Sequence, residues 1–199
     1  MARYTEDELI ARISTVLWDA GTASFGTAQI SAELDQSLRE FSNYSPNLQK
    51  ATVTFAAATP ILSVSGTAFA DLLEVKEIEY PVGYYPARRR NFEVQEATVA
   101  VDIDFLPSVG DTAYIFFSSP HTVSSTVTNT LSAEEERLTI ELTAAHVAMN
   151  YGRSRIGSVV IGSEWSDYVS WGRMKQEQVM KQIVSGIERT MAIRWPRVK

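Results

Sequence analysis

Ala51-Thr52-Val53-Thr54-Phe55 alternates its larger apolar side chains with hydroxylated ones at a period of two, while Ile30, Leu34, Leu38 and Phe41 before it recur at helical spacing. That single change of period decides the fold class, because it ends a helical region and opens a run of strands. After Pro60 come Ile61, Leu62 and Val64, then Val75, Ile78 and Tyr80 ahead of Pro81. Asn91 to Glu96, Thr98 to Phe105 and Thr112 to Ser118 continue the pattern, punctuated by Pro107, Gly110 and Pro120. The spacing predicts about five or six short strands, an arrangement that favours a mostly antiparallel small sandwich or barrel.

Helices flank this block on both sides. Thr5 and Glu8 form a capping box, after which Leu9, Ile10, Ile13, Val16, Leu17 and Ala20 share one face and Gly21 offers a stop. Ile30 to Phe41 make a second helix that Pro46 ends. Beyond the Ser- and Thr-rich loop 121–130, Ser132 and Glu135 cap a third helix with two apolar stripes. One is Leu138, Leu142, Ala145 and Met149; the other is Ile140, Ala144, Val147 and Tyr151. Such a helix should be packed on two sides. After 157–162 comes a helix of about 30 residues, on the order of 45 Å long, carrying Val179, Met180, Ile183, Val184, Ile187 and Met191 and ending near Trp195 and Pro196. Trp165, Trp171, Trp195, Tyr168 and Met174 crowd this last part, and some of its apolar surface is expected to be an interface. The fold expected is α+β: a helical bundle formed by the N- and C-terminal helices, residues 1–50 and 119–199, with an inserted antiparallel β domain over 51–118.

The chain of 199 residues carries 18 Lys and Arg against 24 Asp and Glu, a formal charge of −6, the wrong sign for a surface that binds nucleic acid through phosphate neutralisation. The charge is segregated: −3 over 1–50, −5 over 51–130 and +2 over 131–199. Two basic clusters, Arg88-Arg89-Arg90 and Arg194, Arg197 and Lys199 with Trp195, are candidate contacts for phosphate or an acidic partner. For the first, the bland alternative is a solvated basic turn. There is no cysteine, so disulfides, thiol nucleophiles and thiolate metal sites are excluded, and assembly in a reducing cytosol fits. MARYTEDELIARI has acids where an export signal needs a basic start and an apolar run, so none is expected. The uncharged stretch 51–70 contains Pro60, Gly66 and many hydroxyls and is not a lipid-embedded helix.

Parts for catalysis are few. The only histidines are His121 and His146, both read as structural before catalytic. Asp102 and Asp104 are placed on one face of a strand, half of a metal site or simply a polar outer face. Gly152-Arg153-Ser154-Arg155-Ile156-Gly157 matches neither a nucleophile elbow nor a phosphate loop. No enzyme activity, cofactor or metal is expected.

Four segments carry a resemblance. Leu34-Asp35-Gln36-Ser37-Leu38-Arg39-Glu40-Phe41-Ser42-Asn43-Tyr44-Ser45-Pro46, Val75-Lys76-Glu77-Ile78-Glu79-Tyr80-Pro81, Gly110-Asp111-Thr112 through Ser119-Pro120-His121-Thr122, and Ser132-Ala133-Glu134-Glu135-Glu136 through Tyr151-Gly152-Arg153 resemble, in this order and spacing, the head-tail connector (adaptor) proteins of tailed bacteriophages. The resemblance implies a structural virion protein of the neck, assembled in the host cytoplasm. It would form a ring under the portal vertex with the portal's twelvefold symmetry, help retain packaged DNA and offer the tail its attachment surface. Its implied partners are the portal protein, a tail or tail-completion protein and further copies of itself, with DNA passing through without specific binding and no membrane contact. Arg194, Trp195, Arg197 and Lys199 are the portal-docking candidates, Arg88, Arg89 and Arg90 the capsid or tail contacts, and Glu134, Glu135 and Glu136 the channel-facing acids, whose alternative is favourable placement at a helix N-terminus. The third helix is expected between the other helices and, in the ring, a neighbouring subunit. The alternatives are a tail-completion protein that binds the tail tube and a small DNA-binding module using Arg88 to Arg90.

Overall fold

The computed structural model describes residues 4–18, 24–124, 129–156 and 164–194, the side chains of 156, 164, 165 and 187–194 excepted. The chain is α+β and forms two compact units, Met1–Ser45 with His121–Lys199 and Pro46–Pro120. The first holds the helices α1 (Glu6–Val16), α2 (Thr27–Tyr44), α3 (Ala133–Ile156) and α4 (Glu164–Arg194). The second holds the strands β1 (Asn47–Thr54), β2 (Ile61–Ser63), β3 (Glu74–Glu79), β4 (Arg89–Arg90), β5 (Phe92–Gln95), β6 (Thr98–Val101) and β7 (Thr112–Ser119).

α1 starts where its capping box places it, with the Thr5 amide donating to Glu8 Oε2 at 2.9 Å. It stops earlier than the glycine expected to end it. Leu17 and Trp18 turn their amides back onto Ile13 and Thr15, and Trp18 takes a left-handed φ of +56° with its side chain 96% exposed. Ala20 and Gly21 lie outside the described residues. A large non-glycine residue in that conformation is uncommon, which is why the sequence held no sign of it.

α3 is the axis of the helical unit. It packs against α1, α2 and α4, and both of its stripes are buried: Leu138, Leu142, Ala145 and Met149 on one, Ile140, Ala144 and Val147 on the other, with Tyr151 partly buried. Helices of the same chain therefore occupy the faces on which a neighbouring subunit was also expected. α4 approaches α3 closely because Gly172 has no side chain; a Cβ there would stand 2.6 Å from the Ala145 carbonyl oxygen and 2.6 Å from Met149 Cγ. On α4, Val179 and Ile183 enter the core while Met174 and Val184 stay exposed.

The β unit is a small antiparallel sandwich, with strand order β1-β7-β3-β4 in one sheet and β2-β6-β5 in the other. Phe55, Leu62, Ile78, Val99 and Ile115 fill its core. β1 begins at Asn47, ahead of the expected Ala51, because pairing with β7 from Asn47↔Ser119 to Thr54↔Thr112 extends the strand through Gln49 and Lys50. As an edge strand it buries no side chain fully, so its first half shows no apolar alternation. β6 ends at Val101, short of the expected Phe105, and Asp102 and Asp104 are thus in a loop and do not share a strand face.

Candidate functional site

A buried polar cluster in the helical unit surrounds His146 on α3. Its Nδ1 is 3.0 Å from Ser37 Oγ, and its Nε2 is 3.3 Å from both Glu40 Oε2 and the Gln176 side-chain nitrogen. Ser37 and Glu40 are one turn apart on α2, so a single face of that helix presents both, while Gln176 comes from α4. Serine, histidine and carboxylate in one chain have the composition of a hydrolytic triad. Burial decides against that chemistry: Ser37 is 0% exposed and His146 5%, so no substrate carbonyl can reach the hydroxyl from solvent. The set is a polar tie across three helices, satisfying groups that would otherwise be buried unpaired.

His121 makes a second tie. Its Nε2 donates to the Ser45 carbonyl at 2.8 Å, its Nδ1 is 2.9 Å from the Thr130 hydroxyl, and its amide donates to Ser42 Oγ at 2.9 Å. The end of α2 is thereby fastened to the segment before α3. Ser45 Oγ in turn donates to Glu135 Oε1 at 2.7 Å, and the Ser132 amide donates to Glu135 Oε2 at 2.8 Å.

The three adjacent acids split three ways. Glu134 is exposed. Glu135 is half-buried in the capping box. Glu136 is buried, accepting from the Tyr4 amide at 3.1 Å and from Asn129 Nδ2 at 2.7 Å, so it holds the N-terminal segment instead of presenting charge outward. Of the channel-facing candidates Glu134 is exposed, Glu135 partly so and Glu136 buried. Burial pushes the Glu135 carboxyl upward, but the Ser132 amide, the Ser45 and Ser132 hydroxyls and His121 together outweigh it and hold the group below the ordinary glutamate value. The unfolded chain then takes up this proton at a higher pH than the folded one. The stabilisation is complete above the ordinary glutamate range and is lost as pH falls through the lowered folded value. Glu135→Gln is expected to flatten the acid limb of a pH profile of urea midpoints, while leaving the neutral limb level; an unchanged acid limb would place the proton uptake elsewhere.

In the β unit, Arg89 and Arg90 form an edge strand paired with Glu79 and Ile78, not a basic turn. Arg89 meets Glu77 at 2.9 Å and lies over the Phe116 ring; Arg90 donates to the Tyr80 carbonyl at 2.8 Å and stands 3.6 Å from Asp104. Only Arg88 is left without a carboxylate among the described residues, with its guanidinium 4.6 Å above the Tyr84 ring. A phosphate-binding patch of three cations is therefore not assembled here. Asp102 and Asp104 gain no third ligand: among the described residues no group of three His, Asp or Glu is placed to hold a metal ion. None of the described helices is long and apolar enough to cross a membrane. Trp195, Arg197 and Lys199 lie outside the described residues, as does the side chain of Arg194, the last residue of α4.

Sequence reasoning missed Ser37, Glu40 and Gln176 as partners of His146, since three helices bring them together, and it did not single out Gly172, although a glycine inside a helical pattern was the available signal. No protein-family model matches this chain, and no curated protein matches it.

Proposed function

We propose that this protein is a head-tail connector of a tailed bacteriophage: a structural subunit that forms a ring beneath the portal vertex and gives the tail its attachment surface. The observation that carries the reading is where the four resembling segments fall. Leu34–Pro46 is α2 and its exit toward β1; Val75–Pro81 is β3 and its exit; Gly110–Thr122 is β7 and the return to the helices; Ser132–Arg153 is the capped α3. Each segment coincides with an element or a junction that defines this architecture, in chain order.

The chemistry is in keeping with a scaffold. The two histidines serve ties between helices, and the three adjacent arginines are mostly neutralised. α4 keeps Met174 and Val184 exposed, apolar surface of the kind that side-to-side contacts in a ring would cover. An acidic chain also avoids trapping DNA that must pass through the ring. In this reading the C-terminal Arg194-Trp195-Pro196-Arg197-Val198-Lys199 docks on the portal, joining an aromatic anchor to cations.

Portal rings of the same virus, immobilised and offered the purified chain, test the reading. The full chain is expected to be captured and a chain ending at Arg194 to be lost, with equal melting temperatures for the two. Equal capture would move the docking surface elsewhere, and no capture of the full chain would overturn the connector reading.

A further inference from the structure

The strand register gives the β unit two distinct ends. Asn47 and Ser119, through which the chain enters and leaves, are partners at one end. At the other, Thr54 faces Thr112 and Glu79 faces Tyr114, so the loops that follow β3 and β6 emerge there together, about 26 Å away along an eight-residue strand. Their bases are fastened to one another: Tyr80 Oη donates to Asp111 Oδ2 at 2.8 Å, the Asp102 amide to the Asn91 carbonyl at 2.8 Å, and Arg90 stands 3.6 Å from Asp104.

On these tethered loops the molecule displays large apolar side chains. Tyr85 is fully exposed, Phe105 84%, Leu106 73%, Val109 69% and Tyr84 53%. The same unit buries Phe55, Ile78 and Ile115 to 1% or less, so its core is complete without them. Scattered exposed apolar residues need no explanation, but five on two adjoining loops at one end of a sandwich do. The charge around them says what kind of surface they fit. Arg88, stacked on Tyr84, has no carboxylate, and the exposed Asp102 on the other loop has no cation, among the described residues. An apolar centre with aromatic and arginine members and a rim of both signs is the anatomy of a protein-protein contact. An anionic bilayer would gain one free arginine and be repelled by Asp102.

We propose that this end of the β unit is the tip that docks into the tail-side protein, inserting Tyr85, Phe105 and Leu106 into an apolar depression edged by a carboxylate for Arg88. The proposal rests on the connector reading, which assigns the portal to the C-terminal segment and leaves the tail as the partner for this end.

The test uses portal rings loaded with the full chain and then offered purified tails of the same virus. Two variants are compared with wild type: Tyr85→Ser/Phe105→Ser/Leu106→Ser and, as a milder change on the same surface, Arg88→Glu. Both are expected to melt as wild type does and to load onto portal equally, because the altered side chains are exposed. Tail joining is expected to fall by about tenfold or more in the triple variant and severalfold in Arg88→Glu. Undiminished joining by both variants would overturn the tip and leave the connector reading standing. Failure of the wild-type chain to load would overturn the connector reading and the proposal with it. Wild-type chain that sediments with phosphatidylserine vesicles, or self-associates without portal, in a way the triple variant abolishes, would assign the tip to a membrane or to a second copy and overturn the tail assignment.

Discussion

Leu142→Asp is expected to leave the helical unit without a cooperative unfolding transition at 25 °C. Leu142 is 0% exposed at the middle of α3, where α1, α2 and α4 close around the helix. Truncating a leucine at such a place costs about 2–5 kcal/mol through lost transfer energy and the cavity left behind. The aspartate adds the penalty of a polar group with no partner in an apolar interior, about 1–3 kcal/mol even when it is protonated. The sum reaches or exceeds the lower part of the 5–15 kcal/mol that domains commonly possess. Far-UV circular dichroism against urea checks it, with Leu142→Met as the control; that swap conserves volume and should cost less than about 1.5 kcal/mol. A Leu142→Asp protein that melts like wild type would mean α3 is not the buried axis.

Gly172→Val is expected to lower stability by about 3 kcal/mol, the upper part of the range for overpacked cores. Replacing a helical glycine ordinarily returns some stability, about 1 kcal/mol for alanine and less for a β-branched residue. Here the gain is overridden because the added Cβ would meet the Ala145 carbonyl oxygen at 2.6 Å. Met149 Cγ could swing away, but a backbone oxygen inside α3 moves only if the helices part. Gly172→Ala should already lose stability, and Gly172→Val more. The ordering glycine, alanine, valine in urea midpoints is the check, and a rise at alanine would show that α4 shifts to accept the side chain.

The helices were legible because burial and periodicity are the same physical fact on an amphipathic element, and Ile30, Leu34, Leu38 and Phe41 face one core. The inner strands followed for the same reason at period two. What escaped was structure held by partners and not by pattern. β1 owes Gln49 and Lys50 to hydrogen bonds with β7, and β4 consists of two arginines that no propensity would place in a strand. Trp18 ended α1 in a conformation that glycine was expected to supply. Among the candidate site residues, Glu135 was readable as a cap, whereas Glu136 is buried only because Tyr4 and Asn129, distant in sequence, converge on it. The pattern extends the strand from Thr98 to Phe105, whereas β6 ends at Val101, so the loop position and exposure of Phe105 are visible only in the structure.

These placements divide the work of the chain. Among its described residues the helical unit buries both stripes of α3, and its polar ties engage both histidines. Large apolar side chains stay exposed on α4 and on the loops that follow β3 and β6. On the connector reading proposed above, these surfaces are the ones available to neighbouring assemblies.

Cryo-electron microscopy of portal rings mixed with the purified chain measures the central claim directly. The account predicts an added ring, coaxial with the portal and of the portal's own rotational symmetry, around an open channel. Portal rings without added density at saturating chain, or density scattered over their surface with no closed ring, would contradict it.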